Sequence, residues 1–188
     1  FRYESASQIT DLAITTDSNG EKKLAVLSEN ELRIISTASN YSNPHIIEVN
    51  SSVVASSGPL VGISENSENG PYVNLTSIES NQTISISLDS SSSSRIEQSI
   101  VDSGVILDFQ NSTVVELEME NNWLVATVDL GPFNRTILVD TLSINQTLIS
   151  NPRWDSSSPT IGDGKVAFLQ VTRDDLSLTG QNSERNND

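Results

Sequence analysis

The chain has 188 residues, 35% of them hydrophobic, with no cysteine, a single histidine, and a formal net charge of −15 from 10 Lys plus Arg against 25 Asp plus Glu. That length holds one domain with a real core, while the charge, with no basic cluster to reverse it, excludes nucleic acid and anionic membrane surfaces as partners. Without cysteine, packing and not disulfides must hold the fold, and no run of about 18 apolar residues is available for membrane insertion.

The first segment, ITDLAITTDSNGEKKLAVLSENELRIIS (residues 9–36), reads as three short strands with a turn at Asn19-Gly20. The lone His45 follows in SNPHIIEV, flanked by Pro44 and Ile46, and is expected to be a plain strand or loop histidine. A further apolar strand, GPLVGIS (58–64), leads into YVNLTSIESNQTIS (72–85), which predicts strand, turn and returning strand. The Ser-rich stretch at 89–99 reads as a loop, and VILDFQNSTVVELEM (105–119) as a hairpin-like pair. Next come NWLVATV (122–128), TILVDTLSINQTLIS (136–150) and GKVAFLQ (164–170), before a polar tail at 180–188.

Helical periodicity is absent, and β-branched runs alternate with Gly, Asn, Ser, Pro and Asp, so the chain is expected to be all-β. The pattern also repeats. The two Asn-Gln-Thr hairpins align Val73 with Ile137, Leu75 with Val139 and Ile78 with Leu142, and similar apolar strands recur around Leu24, Leu60, Leu124 and Val166. Repeats of about 36–50 residues with several short strands each are what propeller blades give. The expected fold is therefore a set of β-propeller-like blades of antiparallel strands forming an incomplete ring, with units near 8–50, 51–89, 100–150 and 151–180, and a β-sandwich as the alternative. The Asn-Gln-Thr alignment further predicts that Val73, Leu75, Ile137 and Val139 share a core and that Asn81 and Asn145 occupy exposed turns.

The stretch SSPTIGDGKVAFLQVTRDD (157–175) resembles the blade motif of TolB-type propellers: Pro159 in the first strand, Asp163-Gly164 at the turn, Ala167 and Phe168 in the second strand, and Arg173-Asp174 at the next turn. The other units lack the Asp-Gly turn, so the resemblance covers about 30 residues. Residues 9–36 resemble the repeat of integrin-type propellers, whose Asp-x-Asn-Gly-Asp loop binds calcium. That resemblance implies Asp17, Asn19 and Glu21 as oxygen ligands. Ala25 stands near the position of the closing carboxylate, and an ordinary Asn19-Gly20 turn accounts for the same letters.

No catalytic constellation emerges. One histidine excludes a multi-histidine metal centre, and the glycines form no phosphate loop. Glu116, Glu118 and Glu120 share one face of a strand and read as a solvated edge, since a paired-carboxylate glycosidase would use the same letters less often. Trp123 and Trp154 suit either sugar platforms or buried anchors. Sequons occur at Asn40, Asn50, Asn74, Asn81, Asn111, Asn134 and Asn145, and the Ser/Thr/Asn-rich, Cys-free composition fits an exported microbial glycoprotein. The expected function is a non-enzymatic extracellular or cell-surface module for protein binding, adhesion or surface-layer assembly. Its partner would be another protein or further repeats of the same polypeptide. The alternatives are a β-sandwich subunit of a pilus or filament, and the non-catalytic part of a carbohydrate-active or peptidase-associated propeller.

Overall fold

A computed structural model describes residues 8–29, 31–37, 44–88, 109, 112–131, 133–151 and 154–172. The Ser-rich stretch, the first arm of the pair at 105–108 and the polar tail lie outside the described residues.

Runs of Val, Ile and Thr suit a pleated surface, and the polar residues between them tolerate turn geometry, so the chain folds as antiparallel meanders. Sheet A contains β1 (Ile9–Thr16), β2 (Lys22–Ser28), β3 (Glu31–Ser36) and β4 (His45–Glu48). Sheet B contains β5 (Val54–Ser57), β6 (Leu60–Ser67), β7 (Gly70–Ser77) and β8 (Thr83–Ser87). Sheet C contains β9 (Thr113–Glu120), β10 (Trp123–Asp129), β11 (Asn134–Asp140) and β12 (Asn145–Leu148). Sheet D contains β13 (Trp154–Gly162) and β14 (Lys165–Thr172).

The first strands pack in succession, β1 on β5, β5 on β9 and β9 on β13. Four sheets in a row around grouped first strands make a propeller-like all-β fold. The alternative of two sheets face to face does not describe it.

The seams between sheets differ in character. Between B and C lies an apolar core in which Val73, Leu75 and Ile86 meet Leu124, Ala126, Ile137 and Val139. The approach is close: a Cβ on Gly62 would come within 2.9 Å of Met119 Sδ and 3.1 Å of Leu75 Cδ2. Between A and B, Ala25, Leu27, Leu32 and Ile34 pack on Val54, Val61 and Ile63. Between C and D the joints are polar. Asn134 N–H donates to Asp155 Oδ1 at 2.7 Å, the Thr136 and Ser156 hydroxyls lie 2.9 Å apart, and the fully buried Arg135 donates from Nη1 to the Trp154 carbonyl at 2.8 Å.

Both Asn-Gln-Thr hairpins form, and all four apolar residues expected to share a core do so. Asn81 sits exposed in its turn with φ 57°, and Asn145 is exposed as the first residue of β12. The geometric equivalent of Asn81 is nonetheless Ile144, one residue out of step with the matched letters. Asn81 N–H donates to Ser77 O and Ile144 N–H to Asp140 O, at 3.0 and 2.8 Å, and both residues have positive φ. The reason is directional. Sheet B offers Val73 and Leu75 to sheet C, whereas sheet C offers Ile137 and Val139 back to sheet B, and opposite faces of a strand differ by one residue.

One glycine is required by both backbone and space. Gly70 has φ +117°, and a Cβ there would lie 2.9 Å from the Phe109 carbonyl oxygen, a backbone atom that cannot swing aside. Gly70→Ala is expected to cost ~3 kcal/mol through combined strain and overlap, lowering Tm by about 6–12 °C in calorimetry. A loss under about 1 kcal/mol would show that this junction relaxes freely.

Candidate functional site

Three of the four first strands carry a β-bulge, and all three bulges fall at the same opening. Register shifts lie between Ile9 and Asp11 in β1, opposite Thr127 and Val128 in β9, and between Ser157 and Thr160 in β13. The third explains why Pro159 can sit inside a strand: Ser158 takes φ 52° and the ladder is already interrupted there. Thr10, Asp11, Val115, Glu116, Ser158 and Pro159 line the resulting cavity of about 470 Å³, with Ser52 and Val53 completing it ahead of β5.

The bulge at Val115 sets the carboxylates of β9. Val114, Leu117 and Met119 face sheet B, and after the bulge Glu116, Glu118 and Glu120 take the opposite face. These are more than a solvated edge. Glu116 Oε2 accepts Ser158 N–H at 2.8 Å, and the two oxygens of Glu120 accept Asp163 and Gly164 N–H at 2.8 and 3.0 Å. From β1, Asp11 Oδ2 accepts Val54 N–H at 2.9 Å. Carboxylates thus tie A to B and C to D by taking backbone amides across the seams.

Glu118 also lines the opening, and its carboxyl is pushed above the ordinary range by desolvation and then by the charges of Asp11 and Glu116. Three carboxylates, Asp11, Glu116 and Glu118, make the opening acidic. Asp11 and Glu116 are occupied by amides, and the chain's one histidine is exposed at the start of β4.

A larger cleft of about 840 Å³ lies between sheets A and B, lined by Glu31, Arg33, Glu48, Asn50, Glu65 and Tyr72 among others. Arg33 pairs with Glu31. Glu65 Oε2 accepts the Tyr72 hydroxyl at 2.6 Å and Asn74 Nδ2 at 3.2 Å, and that hydrogen bond, with burial behind it, raises the tyrosine pKa.

Asp17, Asn19 and Glu21 do share one turn, and the carboxylates of Asp17 and Glu21 already have partners. Asp17 Oδ1 accepts Asn19 and Glu21 N–H at 3.0 and 2.9 Å, Oδ2 lies 3.2 Å from Lys23 Nζ, and Glu21 accepts the Ser36 hydroxyl. Among the described residues no group of three or more His, Cys, Asp or Glu side chains is placed to hold a metal. The arrangement is that of a carboxylate-capped turn closed by Lys23. Trp123 and Trp154 are both partly solvent-exposed, so neither is a buried anchor. Of the sequons, Asn50, Asn81 and Asn145 are exposed, Asn74 and Asn134 are half-buried within strands, and Asn40 and Asn111 lie outside the described residues. Sequence reasoning missed Arg135 and the amide-accepting role of Glu116 and Glu120. An Arg inside the β-branched run NRTILVD was the available signal for the first.

Two outcomes follow from these geometries. A raised pKa means that the fold disfavours the Glu118 anion: its stabilising contribution exists below the unfolded pKa and is lost as pH rises through the higher folded value. Glu118→Gln should therefore raise Tm at pH 7 by about 1–2 °C, solvent in the opening screening the rest, and the gain should vanish below about pH 4. A lowered Tm at neutral pH would contradict the repulsion. For the turn, millimolar calcium is expected to shift Tm by less than about 1 °C, because Lys23 and two amides already satisfy Asp17. A dose-dependent rise lost in Asp17→Asn would reverse that conclusion.

No family model and no curated protein matches the chain. Among solved structures, it is similar to a TolB from Agrobacterium tumefaciens at 14% identity and a TM-score of 0.39, over 93% of this chain and 74% of that one.

Proposed function

We propose that this chain is a non-enzymatic, propeller-like module that works outside the cell or at its surface by binding another protein. What carries the proposal is the pair of sheet faces at the two ends of the row. In β1, Ala13 points toward sheet B, while Leu12 and Ile14 point away and are 52% and 67% exposed. In β14, Val166, Phe168 and Gln170 are half-buried, while Leu169 and Val171, on the other face, are each 62% exposed. Branched apolar side chains in solvent on a pleated face are what a protein partner covers.

A non-catalytic role is supported by the engagement of two of the opening's three carboxylates, Asp11 and Glu116, with backbone amides. An exported location is supported by the Cys-free, acidic, Ser/Thr/Asn-rich composition. Adhesion and surface-layer assembly are the contexts in which such a module would act.

Light scattering on the purified chain tests the exposed faces directly. At salt high enough to screen the −15 charge, the apparent mass is expected to rise with concentration, and Leu169→Ser/Val171→Ser to hold the chain monomeric. A strict monomer at every concentration and salt, indistinguishable from the double variant, would overturn the proposal.

A further inference from the structure

The described sequons divide cleanly by the geometry of their asparagines. Asn81 is exposed in the β7–β8 turn with positive φ, and Asn145 is exposed directly after the β11–β12 turn, where its Nδ2 makes only an exposed bond to Ser143 Oγ at 2.9 Å. Asn50 is exposed beyond the end of β4, and the Ser52 of its sequon is exposed as well. Asn74 is different: Nδ2 donates to Glu65 Oε2 at 3.2 Å and Oδ1 accepts the Ser85 hydroxyl at 2.5 Å, within a strand paired on both edges. Asn134 is half-buried in β11, its N–H and carbonyl are bonded to Asp155 and Ser156, and Thr136 of its sequon is fully buried against Ser156.

We infer that Asn50, Asn81 and Asn145 are N-glycosylation sites of the folded chain and that Asn74 and Asn134 are not. In the modification the asparagine Nδ2 bonds to the anomeric carbon of a diphosphate-activated sugar. The bond from that carbon to the phosphate oxygen breaks, the diphosphate leaves, and the amide gives up one proton. The acceptor amide and the hydroxyl two residues on must both be reachable by the transferring enzyme. Turns, and edge strands beside them, meet that requirement: Thr83 is exposed on β8, its Oγ1 2.9 Å from Thr76 Oγ1, and Thr147 is half-buried on β12, both strands lying at the edge of their sheets. A strand with neighbours on both edges meets it only after local opening. Asn81 lies in the β7–β8 turn and Asn145 one residue past the corresponding β11–β12 turn, so sugars there would leave the exposed faces of β1 and β14 uncovered.

The test uses a soluble N-glycosyltransferase with a nucleotide-activated hexose acting on the purified folded chain, followed by glycopeptide mapping, beside synthetic peptides spanning each sequon. The peptides are expected to be modified at comparable rates, and the folded chain at Asn50, Asn81 and Asn145 at least about tenfold faster than at Asn74 and Asn134. Asn81→Gln and Asn145→Gln should each remove one hexose from the intact mass. Modification of folded Asn74 or Asn134 at the peptide rate, or none at Asn81 and Asn145 while their peptides react, would overturn the inference.

Discussion

Burial of both faces of an inner sheet is the constraint on which the rest of the structure depends. A strand between two neighbours cannot alternate apolar with polar, and β10 does not: Leu124, Val125, Ala126, Thr127 and Val128 are all buried, four of them apolar. Each buried branched side chain contributes about 1.5–3 kcal/mol, so the shared core of sheets B and C is the main apolar store of stability. Gly62 follows from the same constraint, because Met119 and Leu75 occupy the space a side chain would need. The end sheets are released from it, and their outer faces keep Leu12, Ile14, Leu169 and Val171 in solvent.

Acidity is the second organising feature. A chain carrying −15 would be expected to spread its carboxylates in solvent, yet several are used to join sheets. Asp11 reaches Val54, Glu79 accepts Ser18 N–H, and Glu116 and Glu120 accept amides of β13 and the turn after it. Asp17 and Glu79 titrate low, the chief cause in each being a backbone N–H donor. The stability such groups contribute is present above the unfolded carboxylate pKa and disappears as pH falls through their depressed folded values. Glu118, desolvated beside Asp11 and Glu116, works in the opposite sense.

Much of the fold was legible in the letters. Asp163-Gly164 makes the two-residue turn that its composition implies, with φ of 52° and 69° joining Gly162 to Lys165. The Asn-Gln-Thr repeat located two hairpins and four residues of one core. Its letters could not show that those residues approach the core from opposite sides, which displaces the true equivalence by one position. Contacts between sheets were also hidden, because alternation along a strand tells which residues share a face and not what lies opposite. Glu116 and Glu120 therefore looked like a solvated edge, and Trp123 and Trp154 gave no sign of being exposed. Neither did local sequence reveal that the bulges at Thr10, Val115 and Ser158 would converge on one opening.

Stability is concentrated in the shared core of the two inner sheets and falls toward end sheets whose outer faces keep branched apolar side chains in solvent. Hydrogen exchange of the isolated chain, resolved by peptide, measures that gradient most directly. Amides of β10 and β11 are expected to exchange only through global unfolding, and those of β14 to open by a separate, lower-energy route. Equal protection in β14 and β10 would contradict the account, since it would mean that the end sheet is already sealed without a partner.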